Sequence, residues 1–561
     1  MVERNTQIPE LTLAISEIDG QELESRINKL AAIGEDGCVG EGGSRLAFRP
    51  VERESRAFVK DLFLQAGFDE IQEHVGGLVG VYKGQEPDLP AVGFGSHFDT
   101  VPRAGKYDGP FGTVAAINVV EVFHKAGIRP KRNLVVIAFT AEEASRFNSA
   151  LIGSRAMFRG LPEEVLEMKR EGDIPLGEAV KALGFDPETL KTPVFRKEDL
   201  HCWIETHIEQ GERMAKSALD VAVVDSIASP DRQRIEIGIS LEHTKIPGKE
   251  VRGLRVVVNG KGGHSGGTPM GRENRADGLR PVADLLMAAA ALHEAKLKAL
   301  GVSLYVGGVE IDGGALNKIP ALTTTDIFLS ANDHQSLIES SDLLKTYLEK
   351  LNKLYGGSKN PQFVDAPVSF QNICITNPGE LHLFDPTAVL PYFKTAARTI
   401  AAIEQIAQKY SELKVVGTVG TFNLTSDGTI RLGMDVRGVN LESRNMAIEE
   451  ILAKLEQIGK RESVKVTSQQ MQGSSEPTVL DEELIEITEQ TARDLGMRVG
   501  RLYSAAGHDT QNVAAIGIPS VMIFIPSRNG GISHDPTEYS TPEDLENGAK
   551  VLAATVYRLA N

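Results

Sequence analysis

The stretch Ala91-Val92-Gly93-Phe94-Gly95-Ser96-His97-Phe98-Asp99-Thr100 opens on five small or apolar residues and ends on a histidine and an aspartate two positions apart. Its first half has the length and apolarity of a buried strand. Asn133-Leu134-Val135-Val136-Ile137-Ala138-Phe139 reads the same way and runs into Thr140-Ala141-Glu142-Glu143. Between them Gly112 to Ala126, rich in Ala and Val, reads as a helix. Strand, helix, strand with continuously apolar strands predicts an α/β fold around a buried, mostly parallel sheet. Both strands end where polar clusters begin, and ligand sites in open α/β sheets lie outside the carboxyl ends of strands.

Working outward, six residues spread over the chain have metal-site chemistry: His97, Asp108 in Tyr107-Asp108-Gly109, Glu142 and Glu143, His207 in His207-Ile208-Glu209-Gln210-Gly211, and His534 in Gly531-Ile532-Ser533-His534. Imidazole and carboxylate together suit Zn²⁺ or Mn²⁺, and Co²⁺ and Ni²⁺ as well. A carboxylate shared by two ions about 4 Å apart makes a site that activates water and holds an oxyanion. Asp99 shares a face of an extended segment with His97, so it can orient that imidazole. In Glu142-Glu143 one carboxylate can bind metal while the other acts as general base; acids also suit a helix N-terminus. Asp108 has an alternative reading as an ordinary Asp-Gly turn. Glu209, Asp535 and Glu538 read as supporting or surface residues.

The 561 residues exceed one ordinary core, so two or more domains are expected. A formal charge of −17 argues against nucleic acid or an anionic membrane as partner. Cys38, Cys202 and Cys374 form no zinc-knuckle spacing, which predicts a reducing compartment. The N-terminal residues lack a signal pattern and no apolar run reaches the ~18 residues of a membrane span, so the cytoplasm is expected.

Residues 251–470 read as a repeat. Copy one orders a strand (Leu254–Val258), Asn259 with His264 five residues on, a helix (Asp277–Lys298), strands Ser303–Val309 and Thr323–Leu329, and a helix Ser336–Leu354. Copy two orders a strand (Val368–Thr376), Asn377 with His382 five residues on, a helix (Lys394–Tyr410), strands Lys414–Leu424 and Thr429–Val436, and a helix Arg444–Ile458. Val306-Gly307 matches Val419-Gly420. Each copy is a β-α-β-β-α unit, an open-faced sandwich. The expected layout is a catalytic domain from 1–250 and 470–561, lid unit one at 251–357 and lid unit two at 358–469.

The strings Gly95–Val101, Phe139–Glu143 with Ser145-Arg146-Phe147, Gly153-Ser154-Arg155, His207–Gly211, His264 with Thr268-Pro269-Met270, Gly507-His508-Asp509 and Gly531–His534 together resemble one family. It is the hydantoinase/carbamoylase branch of the two-metal aminoacylase and carboxypeptidase clan. The branch includes N-carbamoyl-L-amino acid hydrolase, allantoate amidohydrolase and β-ureidopropionase. The resemblance spans nearly the whole chain. It implies that His97, Asp108 and His207 hold one divalent ion and Asp108, Glu143 and His534 the other, with Glu142 as base and Gln210 on the substrate. It also implies a lid His assisting the oxyanion, commonly across a homodimer interface, an Asn, and an Arg on the substrate carboxylate. Copy one supplies His264 and Asn317 but has Ser330 at the arginine position, counting from Gly307; copy two supplies His382 and Arg437. His264 is the favoured electrophile. A lid duplicated in one chain suggests a monomeric pseudo-dimer; the alternative is a homodimer.

The expected activity is cleavage of a linear amide or ureido C–N bond, with an N-carbamoyl-L-amino acid giving amino acid, ammonia and CO₂. The alternatives are a dipeptidase or N-acyl-amino acid hydrolase, and more remotely a non-catalytic binding protein.

Overall fold

The computed structural model describes residues 9–561 except 148, 170–171, 239–240, 242, 246–249, 267, 273, 313, 315, 317, 357–367, 374–381, 385 and 472–473. The chain divides into two compact units, Met1–Ser229 with Pro477–Asn561, and Pro230–Glu476. The boundaries thus fall near 230 and 476, not at 250 and 470. The reason is Ser229–Ile237, which reads locally as a continuation of the first domain but pairs into a sheet of the second unit.

In the first unit a mixed sheet runs, from one edge, Glu70–His74, Gly77–Tyr82, Leu134–Phe139, Ala91–His97, Leu200–Ile208, Ser520–Ile525, Val221–Ile227 and Thr478–Val479, with Val499–Ser504 also on Val221–Ile227. The three pairings at its centre are parallel. The antiparallel strands Glu70–His74 and Gly77–Tyr82 at one edge were not foreseen. Ala91–His97 and Leu134–Phe139 are buried throughout because helices cover both faces of the sheet. The Pro110–Lys125 and Pro542–Ala560 helices pack with Phe94, Val136 and Ile204 in one core. On the other face Ile137, Phe139 and Trp203 pack with Phe158 and Val513. This two-sided apolar burial, at roughly 25 cal/mol per Å², fixes the sheet that carries the polar strand ends.

The second unit holds two four-stranded sheets. One orders Ser303–Ile311, Leu322–Ala331, Glu250–Asn259 and Val368–Ile373, with helices Leu279–Leu292 and His334–Tyr355. The other orders Val415–Leu424, Ile430–Gly438, Ser229–Ile237 and Val466–Gln470, with helices Pro386–Lys409 and Leu441–Glu462. Two features of the expected tandem order are corrected. Val368–Ile373 does not open a second unit but closes the first sheet against Glu250–Asn259. The strand taking its place in the second sheet is Ser229–Ile237, from before copy one. Copy one is therefore nested inside copy two. Asn377 lies outside the described residues.

The two sheets share their irregularities. Ser303–Ile311 shifts register between Val306 and Gly308, and Val415–Leu424 shifts between Val419 and Thr421. The skipped residues are Gly307 and Gly420, and a bulge on the same strand is a specific feature. Ser330 pairs with Ser303, and Arg437 pairs with Val416. Each partner stands four residues before its bulge glycine, so Ser330 and Arg437 occupy one register position. The copies meet along Leu279–Leu292 and Pro386–Lys409 and bury Leu286, Phe393, Val256 and Val436 in one core. Among the described residues no helix is long and apolar enough to cross a membrane.

Candidate active site

Strand ends deliver the polar residues. His97 is the last residue of its strand, His207 is one short of the end of Leu200–Ile208, and Glu142-Glu143 follows Phe139 by a short turn. In that turn Ala141 has φ 55°, and His534 has φ 60° on the loop after Ser520–Ile525. Such left-handed backbone at non-glycine residues is uncommon and clusters at functional sites. Gly109, at φ +82°, is required for space: a Cβ there would stand 2.3 Å from Cε1 of His97.

Two triads of buried side chains converge, His97 with Asp108 and His207, and Asp108 with Glu143 and His534. Asp108 belongs to both. Its Oδ1 is 3.2 Å from Nε2 of His207 and 3.6 Å from Nε2 of His97. Its Oδ2 is 3.4 Å from Nε2 of His534, which lies 3.2 Å from Oε1 of Glu143. The ring orientations are fixed from behind: Nδ1 of His207 donates to the Ile208 carbonyl at 2.9 Å and Nδ1 of His97 to the Asp99 carbonyl at 3.1 Å. Nε2 is thereby the nitrogen turned to the pocket, and that of His207 is buried with no hydrogen-bond partner. A buried orphan of this kind calls for a partner. The donor set, buried imidazoles and carboxylates with a shared aspartate, fits divalent transition ions.

Asp99 does more than face His97. Its Oδ1 accepts the Glu142 N–H at 3.1 Å and its Oδ2 the Glu143 N–H at 3.2 Å, so one carboxylate locks two ligand loops together. Gln210, at φ 56°, donates from Nε2 to Oδ2 of Asp108 and from its backbone to Ser527 Oγ at 3.0 Å. His508 packs edge-on to the His207 ring at 4.6 Å and pairs with Ser504 Oγ at 2.7 Å.

The electrostatics reflect this crowding. Burial opposes charge on His97, but Asp108 and Asp99 outweigh it and hold the imidazole well above its ordinary range. Burial likewise opposes charge on His534, yet Glu143 and Asp108 lift it to about 9. Asp108 is held far below its usual range, burial being overcome by His207, His97 and His534. An ion held by these residues would have to displace imidazole protons, which would couple its binding to pH. Glu142 is pushed well up by burial, reinforced by Glu143, Asp509 and Asp99. A raised carboxyl suits a group that must both accept and return a proton.

Supporting groups were the part least foreseen. Glu205, fully buried, accepts from Ser96 Oγ and from Thr510 N and Oγ1. Glu538, read as supporting or surface, is buried and grips the Asp108 loop. The only sequence signal was an acid close to His534.

In the second unit, His264 lies on a two-residue strand paired with Lys318–Ile319, and His382 on a strand paired with His243–Lys245. Asn317 lies outside the described residues. Arg437 is buried and forks onto Asp435, Nε to Oδ1 at 2.9 Å, where Arg232 also reaches Oδ2 at 3.3 Å.

The model of Peptidase family M20/M25/M40 matches residues 93–558. An Arabidopsis thaliana ureidoglycolate hydrolase is 26% identical, covering 99% of this chain and 90% of its own length. An N-carbamoyl-L-amino acid amidohydrolase of Geobacillus stearothermophilus is 26% identical, covering 97% and 99%. An allantoate amidohydrolase of Escherichia coli is 25% identical, covering 96% and 98%. Among solved structures, AtUAH in complex with glyoxylate superposes with a TM-score of 0.58 at 25% identity, covering 98% of this chain and 99% of that one. A Burkholderia multivorans amidase of the hydantoinase/carbamoylase family shares the fold at a TM-score of 0.55 and 19% identity, over 97% and 98%. With a family match over most of its length, the chain belongs to peptidase family M20/M25/M40, a metal-dependent hydrolase family, alongside relatives of the hydantoinase/carbamoylase type, and its two candidate metal-binding triads share one aspartate.

Proposed function

We propose that the chain is an amidohydrolase of small ureido acids, splitting the C–N bond of an N-carbamoyl-L-amino acid or a related compound. The observation that carries this is Glu142: a buried carboxyl, outside both triads, adjoining a ligand and held by Asp99 through its own backbone N–H. His97, Asp108 and His207 would hold one divalent ion and Asp108, Glu143 and His534 another; Zn²⁺ or Mn²⁺ fit best, with Co²⁺ and Ni²⁺ compatible. Such ions polarise a carbonyl oxygen and lower the pKa of water. Glu142 takes a proton from the attacking water as the new C–O bond forms at the carbamoyl carbon. It then gives that proton to the leaving nitrogen as the C–N bond breaks. Ammonia departs and the carbamate left behind loses CO₂ to give the amino acid. Gln210 lies beside Asp108, where it can fix a substrate polar group. For the lid, the family resemblance supports His264 as donor to the substrate oxygen and Asn317, His382 and Arg437 as substrate contacts.

The test is ammonia release by metal-loaded enzyme across N-carbamoyl amino acids, allantoate, ureidoglycolate and N-acyl-amino acids. Ureido substrates are expected to give the highest kcat/KM. Turnover confined to acyl-amino acids or dipeptides would defeat the reading.

We also propose that the chain acts as a monomer in a reducing cytoplasm. Nesting of a second open-faced sandwich, with the same bulge and the same register position filled by Ser330 in one copy and Arg437 in the other, supports division of labour within one chain. Light scattering should report a monomer, and specific activity should hold on dilution. Activity falling on dilution, or a stable dimer, would refute it. Among the described residues Cys38 and Cys202 are free, in keeping with that compartment.

A further inference from the structure

We propose that Glu538 is a positioning residue for the shared carboxylate: it holds the backbone of the Asp108 loop so that Asp108 serves both triads. The inference rests on the metal-site reading of Asp108.

The geometry is specific. Oε1 of Glu538 accepts the Tyr107 N–H at 2.8 Å and the Asp108 N–H at 3.0 Å. Two consecutive N–H groups on one oxygen fix the peptide plane from which the Asp108 side chain departs. The Tyr107 side chain is tied separately, its hydroxyl donating to Glu24 at 2.8 Å. Glu538 is 4% exposed, and its Oε2 is buried with no hydrogen-bond partner. A buried carboxyl group with one oxygen left without a partner is a costly arrangement, so stability alone does not account for it. The chain makes room for it: a Cβ on Gly105 would lie 2.3 Å from Cβ of Glu538 and 2.5 Å from its Oε1.

Sequence adds a second constraint. Glu538 follows the ligand His534 across a turn in which the Glu538 N–H donates to the Asp535 carbonyl at 3.0 Å and Asp535 Oδ1 accepts from Thr537 N and Oγ1. One five-residue segment thus supplies a ligand to the second triad at its start and fixes the loop of the shared ligand at its end. Any displacement of His534 is carried to Asp108, and through it to His97 and His207. This coupling keeps the two triads in one frame.

The role is geometric, so reach must matter and charge must not. Glu538→Gln keeps an acceptor oxygen at the same length. Glu538→Asp keeps the carboxyl group but withdraws the oxygen by one methylene. Glu538→Ala removes both. Metal affinity by competition with a chelator, and the visible absorption of the Co²⁺-loaded protein, are the readouts. Glu538→Gln should match wild type in both. Glu538→Asp and Glu538→Ala should lose about 10–100-fold in affinity, the range for partners that orient metal ligands, with an altered Co²⁺ spectrum. Gly105→Ala, which intrudes on Glu538 without changing it, should shift affinity the same way if the other variants fold poorly. A weak Glu538→Gln beside a normal Glu538→Asp would show that charge is at work and overturn the proposal, as would wild-type affinity in all four. Wild-type protein without bound ions would remove the metal-site reading itself, and this inference with it.

Discussion

Glu142→Gln is expected to lower kcat by about 10²–10⁴ while leaving metal content unchanged. The amide nearly reproduces the shape of the carboxylate but cannot take up and return a proton. Glu142 is in neither ligand triad, so its loss should not empty them. Its backbone N–H remains on Asp99 Oδ1, so the neighbouring Glu143 stays in place. Metal analysis and steady-state kinetics on the same preparation check this. A variant with full metal and near-normal kcat would show that the proton travels by another group. A variant that loses metal as well would place Glu142 among the ligands instead.

Asp108→Asn should have the larger effect, with activity falling below that of Glu142→Gln. Asp108 faces three imidazoles, with Oδ1 toward His207 and His97 and Oδ2 toward His534. Asparagine keeps one oxygen and replaces the other by a donor that repels a cation and cannot accept from Gln210 or an imidazolium. The oxygen that remains can serve only one triad, and without the negative charge it holds a divalent ion weakly, so both sites are weakened at once. Native mass spectrometry should therefore find ions missing from both sites, whereas His534→Ala should lose only the one held with Glu143. Full occupancy of both sites in Asp108→Asn would mean that the aspartate does not bridge.

The two clusters were legible as candidates because their residues sit where apolar strands stop. His97 and Glu142-Glu143 end runs whose apolarity is visible in a single line of sequence, and Asp108 stands in a turn with glycine. The mostly parallel sheet followed from the same two runs. The nesting within the second unit did not follow. Periodicity reports that 368–373 is extended, but not that its partner is Glu250–Asn259. Nor does anything local in Ser229–Ile237 announce that it completes a sheet with Ile430–Gly438 and Val466–Gln470. Asp99 and Glu538 were underestimated for a related reason. They act on backbone N–H groups of distant loops, and every residue but proline has one, so no side-chain pattern marks the recipient.

The nesting of the two sheets also sets an order of assembly during synthesis. Glu250–Asn259 through Val368–Ile373 is continuous in the chain, so the inner sheet has all its strands once residue 373 has left the ribosome. Ser229–Ile237 has emerged earlier and has no neighbour until Ile430–Gly438 appears, roughly 200 residues later, or about 10–40 s at ordinary elongation rates. The outer sheet must therefore close around an inner one that is already complete. His207 waits longer still, since Leu200–Ile208 gains its Ser520–Ile525 neighbour only roughly 310 residues later. The inner sheet can be the first part of the second unit to fold, and the residues of the two triads come together only after the Ser520–Ile525 strand has emerged.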